Sequence, residues 1–439
     1  MLESKIKDRT ARICIVGQGY VGLPLAIEFI NKGFTVLGYD IDRRRIEQIR
    51  TGEYFAEDTR IHESLKKYIE RNLILSSNSK DMIDFDVDIF IICVPTPIDA
   101  MLNPDMGCVT SALETVSQNL KRGAMVVLES TTYPTTLENV ARPILEHGSG
   151  WIAGQDFYLL SSPERIDPGN MQFQLNEIPK IVGGINNEST RLGYLLYSQI
   201  KNKVIPVDSP RTAEAVKLLE NIFRLVNISL VNELAVLFEK MDIDIYKVID
   251  AAATKPFGYM PFYPSAGAGG HCIPVDPFYM SYIAKKYGVH LDFIEHSGKI
   301  NISMQDHVIS LIGQGLNRKG KSIKGSRIAV LGLSYKPNIQ DTRNSASTSI
   351  IKILEDLGAE VIRIDPVIET MATIDDVYKC NCDCAVMLIK HDKFITEKDK
   401  IHRMLNTNRI AFVDCVNFFK YTDEINYIGL GKPFNGVMR

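Results

Sequence analysis

Arg12-Ile13-Cys14-Ile15-Val16-Gly17-Gln18-Gly19-Tyr20-Val21-Gly22 is the stretch that decides the fold. Its apolar start reads as a buried parallel strand running straight into a glycine turn. Leu23 to Lys32 then has helical composition, with Gly33 placed as a C-cap. A second apolar run, Phe34 to Tyr39, ends on Asp40. Strand, glycine turn, helix, strand and terminal acid together form the dinucleotide-binding fingerprint in its required setting. Gly17 and Gly19 let the backbone approach a pyrophosphate, which the helix N-terminus stabilises electrostatically. Asp40 accepts hydrogen bonds from ribose hydroxyls and repels a 2′-phosphate, favouring NAD over NADP. Arg43-Arg44-Arg45 follows closely and offers charge that could accommodate such a phosphate.

The alternation continues outward. Asp88 to Val94 reads as a strand ending in Pro95-Thr96-Pro97, Ala124 to Glu129 as one ending in Ser130-Thr131-Thr132, and Phe157 to Leu160 as one ending in Ser161-Ser162-Pro163-Glu164. Each end alone is ordinary turn chemistry. As a series, hydroxyls and a carboxylate fall where a doubly wound sheet places its ligands, beyond the carboxyl ends of its strands.

The 439 residues allow roughly three domains of about 150 residues. A net charge of -3 leaves no basic excess for phosphate neutralisation, so no nucleic-acid partner is expected. Runs such as Lys66-Lys67 read as solvated helix faces. The polar segment Met1 to Thr10 is not a secretory signal, and no apolar run reads as long enough to span a bilayer. The 8 cysteines are irregularly spaced and form no disulfide framework, so a cytoplasmic protein with reduced thiols is expected.

Pro206 to Arg211 reads as a linker with Asp208 or Ser209 capping and Pro210 opening a helix. Thr212 to Met241 keeps helical periodicity for about eight turns, roughly 45 Å. Such a helix suits a domain connector or a dimer core. Lys217, Asn221 and Arg224 form a polar stripe on it, either solvent-exposed or turned into a site. Gly267-Ala268-Gly269-Gly270-His271-Cys272-Ile273-Pro274-Val275-Asp276-Pro277 follows. Crowded glycines imply a sharp turn that something approaches closely. A thiol on such a shelf reads either as a nucleophile or as a small packed hydrophobe.

Asp276 to Ser310 is mostly helical by pattern, and Leu316 to Gly325 is a basic, glycine-punctuated linker. Arg327 to Leu331, helix Ser347 to Gly358 and strand Glu360 to Asp365 make a second βαβ unit whose turn is too poor in glycine for a dinucleotide. Cys380-Asn381-Cys382-Asp383-Cys384 has the wrong spacing for zinc, and Ala385 to Ile389 reads as a strand, so no metal is expected.

Taken together, GQGYVG (17–22), CVPTP (93–97), STTYP (130–134), SPERIDPG (162–169), KLLEN (217–221), GGHCIPVDP (269–277) and SYKPNIQDTR (334–343) resemble the UDP-glucose/GDP-mannose dehydrogenase family over nearly the whole chain. The resemblance implies a four-electron oxidation of a nucleotide-sugar C6 alcohol to a carboxylate, with two NAD per turnover. It implies that Cys272 is the nucleophile, Glu164 the base and Thr131 a holder of the substrate hydroxyl or water. Lys217 and Asn221 are implied to stabilise the oxyanion, and Asp276 to orient the group. Lys217 and His271 would also favour the thiolate. NAD contacts are implied at Gly17, Gly19, Tyr20, Val21, Gly22, Asp40, Arg45, Thr96, Thr131 and Arg343. Substrate contacts are implied at Glu164, Arg165, Lys217, Asn221, Gly269, Gly270, Tyr335 and Lys336, the lysine on the diphosphate.

There are departures. Pro168 stands where UDP-glucose members carry glutamate, and Val275 where they carry lysine. SPERIDPG and GGHCIPVDPFY are more similar to the branch acting on UDP-N-acetylhexosamines, UDP-N-acetylglucosamine above all. Asp414-Cys415-Val416-Asn417 lacks an arginine common in relatives. The expected architecture is α/β, two Rossmann-like doubly wound parallel-sheet domains joined by a helical central domain with one long helix. Residues 1–206 bind NAD, 207–315 carry the cysteine and a homodimer face, and 316–439 hold the UDP-sugar. A two-electron dehydrogenase with a merely packed Cys272, or a silent NAD-binding protein, are the competing readings.

Overall fold

The computed structural model describes all residues except 55–62, 64, 66, 70, 100, 166–175, 369–370, 376–380, 420–425 and 434–439. Lys66, Pro168 and Cys380 therefore lie outside the described residues. The chain divides into two compact units, Met1–Glu220 with Tyr282–Tyr287, and Asn221–Ser281 with Gly288–Arg439.

The first unit is built on a sheet of β1 (Arg12–Val16), β2 (Thr35–Tyr39), β3 (Leu73–Ser76), β4 (Ile89–Ile92), β5 (Met125–Leu128), β6 (Tyr158–Ser161), β7 (Lys180–Gly184) and β8 (Val204–Pro206). Its order is β3-β2-β1-β4-β5-β6-β7-β8. The strand order reverses between β1 and β4, which makes that crevice the place for a dinucleotide. All neighbours are parallel except β6 and β7, which pair antiparallel through Leu160↔Gly184 and Ser161↔Gly183. Side chains alternate across β1: Ile13 and Ile15 enter one buried cluster, Cys14 and Val16 the other. Both faces are covered, so the strand reads as one unbroken apolar run.

The second unit holds a five-stranded sheet, all parallel: β9 (Arg327–Leu331), β10 (Glu360–Ile364), β11 (Cys384–Met387), β12 (Ala411–Asp414) and β13 (Asn426–Gly429), in the order β10-β9-β11-β12-β13. Ile328 and Val330 face one core, Ala329 and Leu331 the other. Cys382 and Cys384 are buried core thiols. The chain is thus α/β with two Rossmann-like sheets, as the strand pattern implied.

A helix of 31 residues, Pro210–Lys240, links the two sheet-forming segments in sequence. The backbone N–H of Thr212 donates to Ser209 Oγ at 3.2 Å, so Ser209 is the cap and Pro210 the first helical residue. By length and composition this helix reaches bilayer span, with mean hydropathy 1.4 over its most apolar window. That corrects the expectation that no apolar run is long enough. Lys217, Asn221 and Arg224 interrupt the run in its first half, but the stretch after Arg224 is mostly apolar almost to Lys240. The helix nevertheless buries Glu214, Lys217, Asn221, Ser229 and Asn232, the placement of polar groups in a core helix.

Candidate active site

The turn after β1 is shaped by backbone crowding. Gly17 has φ +95°, and a Cβ there would lie 2.6 Å from Cys93 O. A Cβ on Gly22 would lie 1.8 Å from Gly17 O, so the helix Gly22–Asn31 packs directly on the turn. A Cβ on Gly19 would meet nothing within 4 Å. Only glycine's bareness toward open space distinguishes Gly19, which fits a backbone that a pyrophosphate approaches. Tyr20 is exposed and Val21 caps the helix.

Asp40 is buried and ties this turn down: Oδ2 accepts from Gln18 N at 2.8 Å and from Arg45 Nη1 at 2.9 Å, and Oδ1 from Asp42 N at 3.0 Å. The nearest arginine is therefore engaged by the acid, not held free for a 2′-phosphate. Asp40→Asn removes the charge from three hydrogen bonds and is expected to raise the KM for NAD about tenfold or more while narrowing the NAD-over-NADP preference. Initial rates with each cofactor check this.

Beyond the carboxyl ends of the other strands lie Thr96 and Thr131, both half-buried, and Glu164, which is buried. Glu164 Oε1 accepts from Arg165 N at 2.7 Å and Oε2 from Lys180 Nζ at 2.8 Å. Arg165 directs its guanidinium to Glu220 (Nε at 3.1 Å) and to Pro179 O at 2.8 Å. The segment after Thr131 is fastened to the long helix by Glu214, whose carboxylate accepts from Thr135 N at 2.8 Å and Leu137 N at 2.9 Å. Burial pushes the Glu214 carboxyl up to about 8, against those two hydrogen bonds. A folded-state value above the unfolded one means stability falls as pH rises from about 4.3, the unfolded value, to about 8, and is flat above. Wild type is expected to lose melting temperature relative to Glu214→Gln across that window, as calorimetry at several pH values would show.

On the long helix Lys217 and Asn221 stand one turn apart, 7% and 5% exposed, whereas Arg224, the third residue of the polar stripe, is exposed to solvent. Asn221 Nδ2 donates to Asp276 Oδ2 at 2.6 Å, and Asp276, itself buried, opens the helix Asp276–Lys286. Cys272 is half-buried, and its carbonyl accepts from Val275 N and Asp276 N at 3.2 and 2.8 Å. The thiol thus sits just ahead of a helix N-terminus. What approaches the glycine shelf is the segment after β9. A Cβ on Gly269 would lie 2.7 Å from Asn344 O, and one on Gly270 2.8 Å from the Tyr335 ring. His271 Nε2 is 3.0 Å from Asp341 Oδ2, and Asp341 also accepts from Arg343 at 2.9 and 2.8 Å. Cys272, Asn221, Asp276, Tyr335, Lys336 and Arg343 belong to the second unit; Glu164, Thr131 and Lys217 belong to the first.

Within the second unit a cavity of about 640 Å³ is lined by Tyr246, Asp250, Tyr263, Tyr335, Lys390 and Asn417, among others. That volume suits a nucleotide-sized ligand. Tyr335 lines it, but Lys336 is not among the lining residues, whereas Lys390 is. Val416 and Asn417 line it as well. The Tyr335 turn is held from beneath: Asp365, just after β10, accepts from Leu333 N at 2.7 Å, and buried His391 accepts from Asn338 N at 3.0 Å. Asp365 thereby repeats the structural half of Asp40's task. Two buried residues beside Glu164, Glu129 and Lys180, escaped the sequence reading. A lysine heading the apolar run Lys180-Ile181-Val182 was the available signal.

Models of the UDP-glucose/GDP-mannose dehydrogenase family match in succession: the NAD binding domain at residues 11–201, the central domain at 211–303 and the UDP binding domain at 329–421. The chain is 36% identical to a UDP-N-acetyl-D-glucosamine 6-dehydrogenase of Pseudomonas aeruginosa over 356 residues, 81% of this chain and 82% of that one. Among solved structures, the UDP-D-ManNAc dehydrogenase of Pyrococcus horikoshii superposes with a TM-score of 0.88 at 32% identity, covering 96% of this chain and 99% of that one. The NDP-N-acetyl-D-galactosaminuronic acid dehydrogenase of Methanosarcina mazei Go1 gives 0.78 at 29% identity, covering 98% of each. With its NAD-binding, central and UDP-binding parts all matched in order, the chain belongs to the UDP-glucose/GDP-mannose dehydrogenase family.

Proposed function

We propose that the protein is an NAD-dependent UDP-sugar 6-dehydrogenase that oxidises the C6 alcohol of UDP-N-acetylglucosamine to the carboxylate in two steps. The single observation carrying the dehydrogenase reading is a glycine-shelf cysteine and a buried Asn221–Asp276 pair in a chain that also has the NAD turn. When bound, the nicotinamide supplies a hydride acceptor for each step. Thr131 holds the substrate hydroxyl through the first oxidation, in which the C6 hydride is transferred and the hydroxyl proton passes to water. Cys272 adds to the resulting aldehyde, and Lys217 and Asn221 stabilise the oxyanion so formed. Loss of a second hydride from the thiohemiacetal leaves a thioester on Cys272. Glu164 takes a proton from water, which adds to the thioester carbonyl; the C–S bond then breaks and the cysteine leaves as thiolate. Asp276 holds Asn221 in place throughout. Tyr335 and the cavity it lines take the uridine diphosphate, with Lys390 of the cavity wall, in addition to Lys336, as a diphosphate partner.

The preference for UDP-N-acetylglucosamine is supported by the Pseudomonas relative and by Val275 in place of the UDP-glucose branch's lysine. The mannosamine and galactosaminuronate neighbours make those sugars the competitors. Comparison of kcat/KM for UDP-N-acetylglucosamine, UDP-N-acetylmannosamine, UDP-N-acetylgalactosamine and UDP-glucose decides; a higher value for any of the latter three would replace this assignment.

We also propose that the active form is a homodimer. Leu219, Phe223, Leu230 and Leu237 are 65, 45, 50 and 48% exposed and recur at intervals of four and seven on the long helix. That spacing gathers them on one face, which a second copy would cover. Leu230→Glu is expected to yield monomer by light scattering; a wild-type monomer would contradict the assignment.

A further inference from the structure

Cys93, Glu129 and Glu164 follow the carboxyl ends of β4, β5 and β6, and Lys180 is the first residue of β7. Lys180 is 1% exposed, Glu129 2% and Glu164 7%. The lysine Nζ stands 2.9 Å from Glu129 Oε1 and 2.8 Å from Glu164 Oε2. The Tyr197 hydroxyl donates to Glu129 Oε1, and the lysine lies 5.0 Å from the Tyr197 ring centre. Cys93 Sγ is 3.8 Å from Glu129 Oε2. Lys201, also buried, adds its field to the same group of charges. The guanidinium of Arg165 is taken up by Glu220 and Pro179 O. An ionic trio this dry is a poor way to add stability, because desolvation offsets most of the Coulomb gain and apolar groups of equal volume do as well. The arrangement calls for another reason, and Glu164 supplies it.

We propose that Lys180 and Glu129 are positioning residues that set the proton affinity of Glu164 for the hydrolytic step: Lys180 keeps it ionised and aimed, and Glu129 keeps it basic enough to accept a proton from water. This rests on the reading of Glu164 as the base. The argument is one of charge balance. Without Lys180, two buried carboxylates face each other with one fewer cation, and Glu164 holds a proton at higher pH. Without Glu129, the whole lysine charge falls on Glu164, and protonating it leaves a buried ammonium without its counter-ion. The two substitutions therefore move the basicity of Glu164 in opposite directions, whatever the charge of Lys201. Glu164 itself shows the lysine's effect: burial pushes its carboxyl up, but Lys180, Lys201 and the hydrogen bonds from Lys180 and Arg165 N outweigh burial and hold it at about 2. Burial and the Glu164 charge hold Glu129 above the usual carboxylate range, with Lys180 in opposition.

The step can be isolated by mixing enzyme with excess NAD and the UDP-sugar that the wild type turns over. Decay of the acyl adduct on Cys272 is then followed by intact-protein mass from about pH 5 to about pH 9. Glu164→Gln should trap the adduct. Lys180→Met should shift the acid limb of the decay rate upward by about one pH unit or more. Glu129→Gln should slow decay about tenfold or more with no upward shift. Wild-type pH dependence in Lys180→Met and Glu129→Gln, with Glu164→Gln trapped, overturns the proposal alone. Normal decay in Glu164→Gln removes Glu164 as the base and the proposal with it. Should Lys180→Met not fold, Glu129→Gln, which keeps the shape and the Tyr197 contact, decides by itself: wild-type decay refutes the proposal.

Discussion

Cys272→Ala is expected to abolish carboxylate formation, lowering its rate at saturating UDP-sugar by on the order of 10³-fold or more. Alanine removes the sulfur that bonds the aldehyde carbon in the proposed mechanism, so on that reading the second oxidation has no thiohemiacetal from which to proceed. The change is small in structural terms. The thiol is half-buried, and the backbone bonds around it, Val275 N and Asp276 N to the Cys272 carbonyl, do not involve the side chain. The melting temperature should therefore stay near the wild type, and NAD should still bind. Near-normal turnover in Cys272→Ala would favour the alternative of a packed cysteine in a two-electron enzyme.

The second large effect separates two glycines that sequence alone treats alike. Gly17→Ala puts a Cβ on a residue at φ +95° and 2.6 Å from a backbone carbonyl, an obstacle that cannot rotate away. It should destabilise the first unit by about 1–3 kcal/mol or more, with NAD binding lost as a consequence. Gly19→Ala puts a Cβ into open space, with no protein atom within 4 Å. It should melt like the wild type yet bind NAD about tenfold to a hundredfold more weakly, because the methyl group takes the place of the approaching pyrophosphate. Thermal melts and NAD titrations of the two variants check the contrast. Wild-type NAD affinity in Gly19→Ala would remove that residue from the cofactor site.

Much of this was legible because period and punctuation agree. Arg12–Val16 and Arg327–Leu331 match their expected strands residue for residue, each an apolar run ended by a glycine. Pro210 marked the start of the long helix for the same kind of reason, since its fixed φ and missing N–H suit a first turn. Other features depend on long-range packing that no local pattern carries. Asp40 was read as a ribose acceptor, yet it also fastens Gln18 and Arg45. The glycines before Cys272 called for a close neighbour, but only the fold identifies it as Tyr335 and Asn344, from some seventy residues further along the chain. The lysine heading the apolar run at Lys180 was a signal, but its partners were not, because β7 pairs antiparallel with β6, which brings its first residue to the carboxyl ends of β5 and β6. The bilayer-length apolar stretch of Pro210–Lys240 is masked in the sequence by Lys217, Asn221 and Arg224 in its first half.

The most direct test of the four-electron account is the amount of NADH formed per UDP-N-acetylglucosamine consumed, run to completion with excess NAD. Two NADH per sugar, with a carboxylate product by mass, is the predicted result. One NADH per sugar with aldehyde accumulating would contradict the role of Cys272 and the thioester with it.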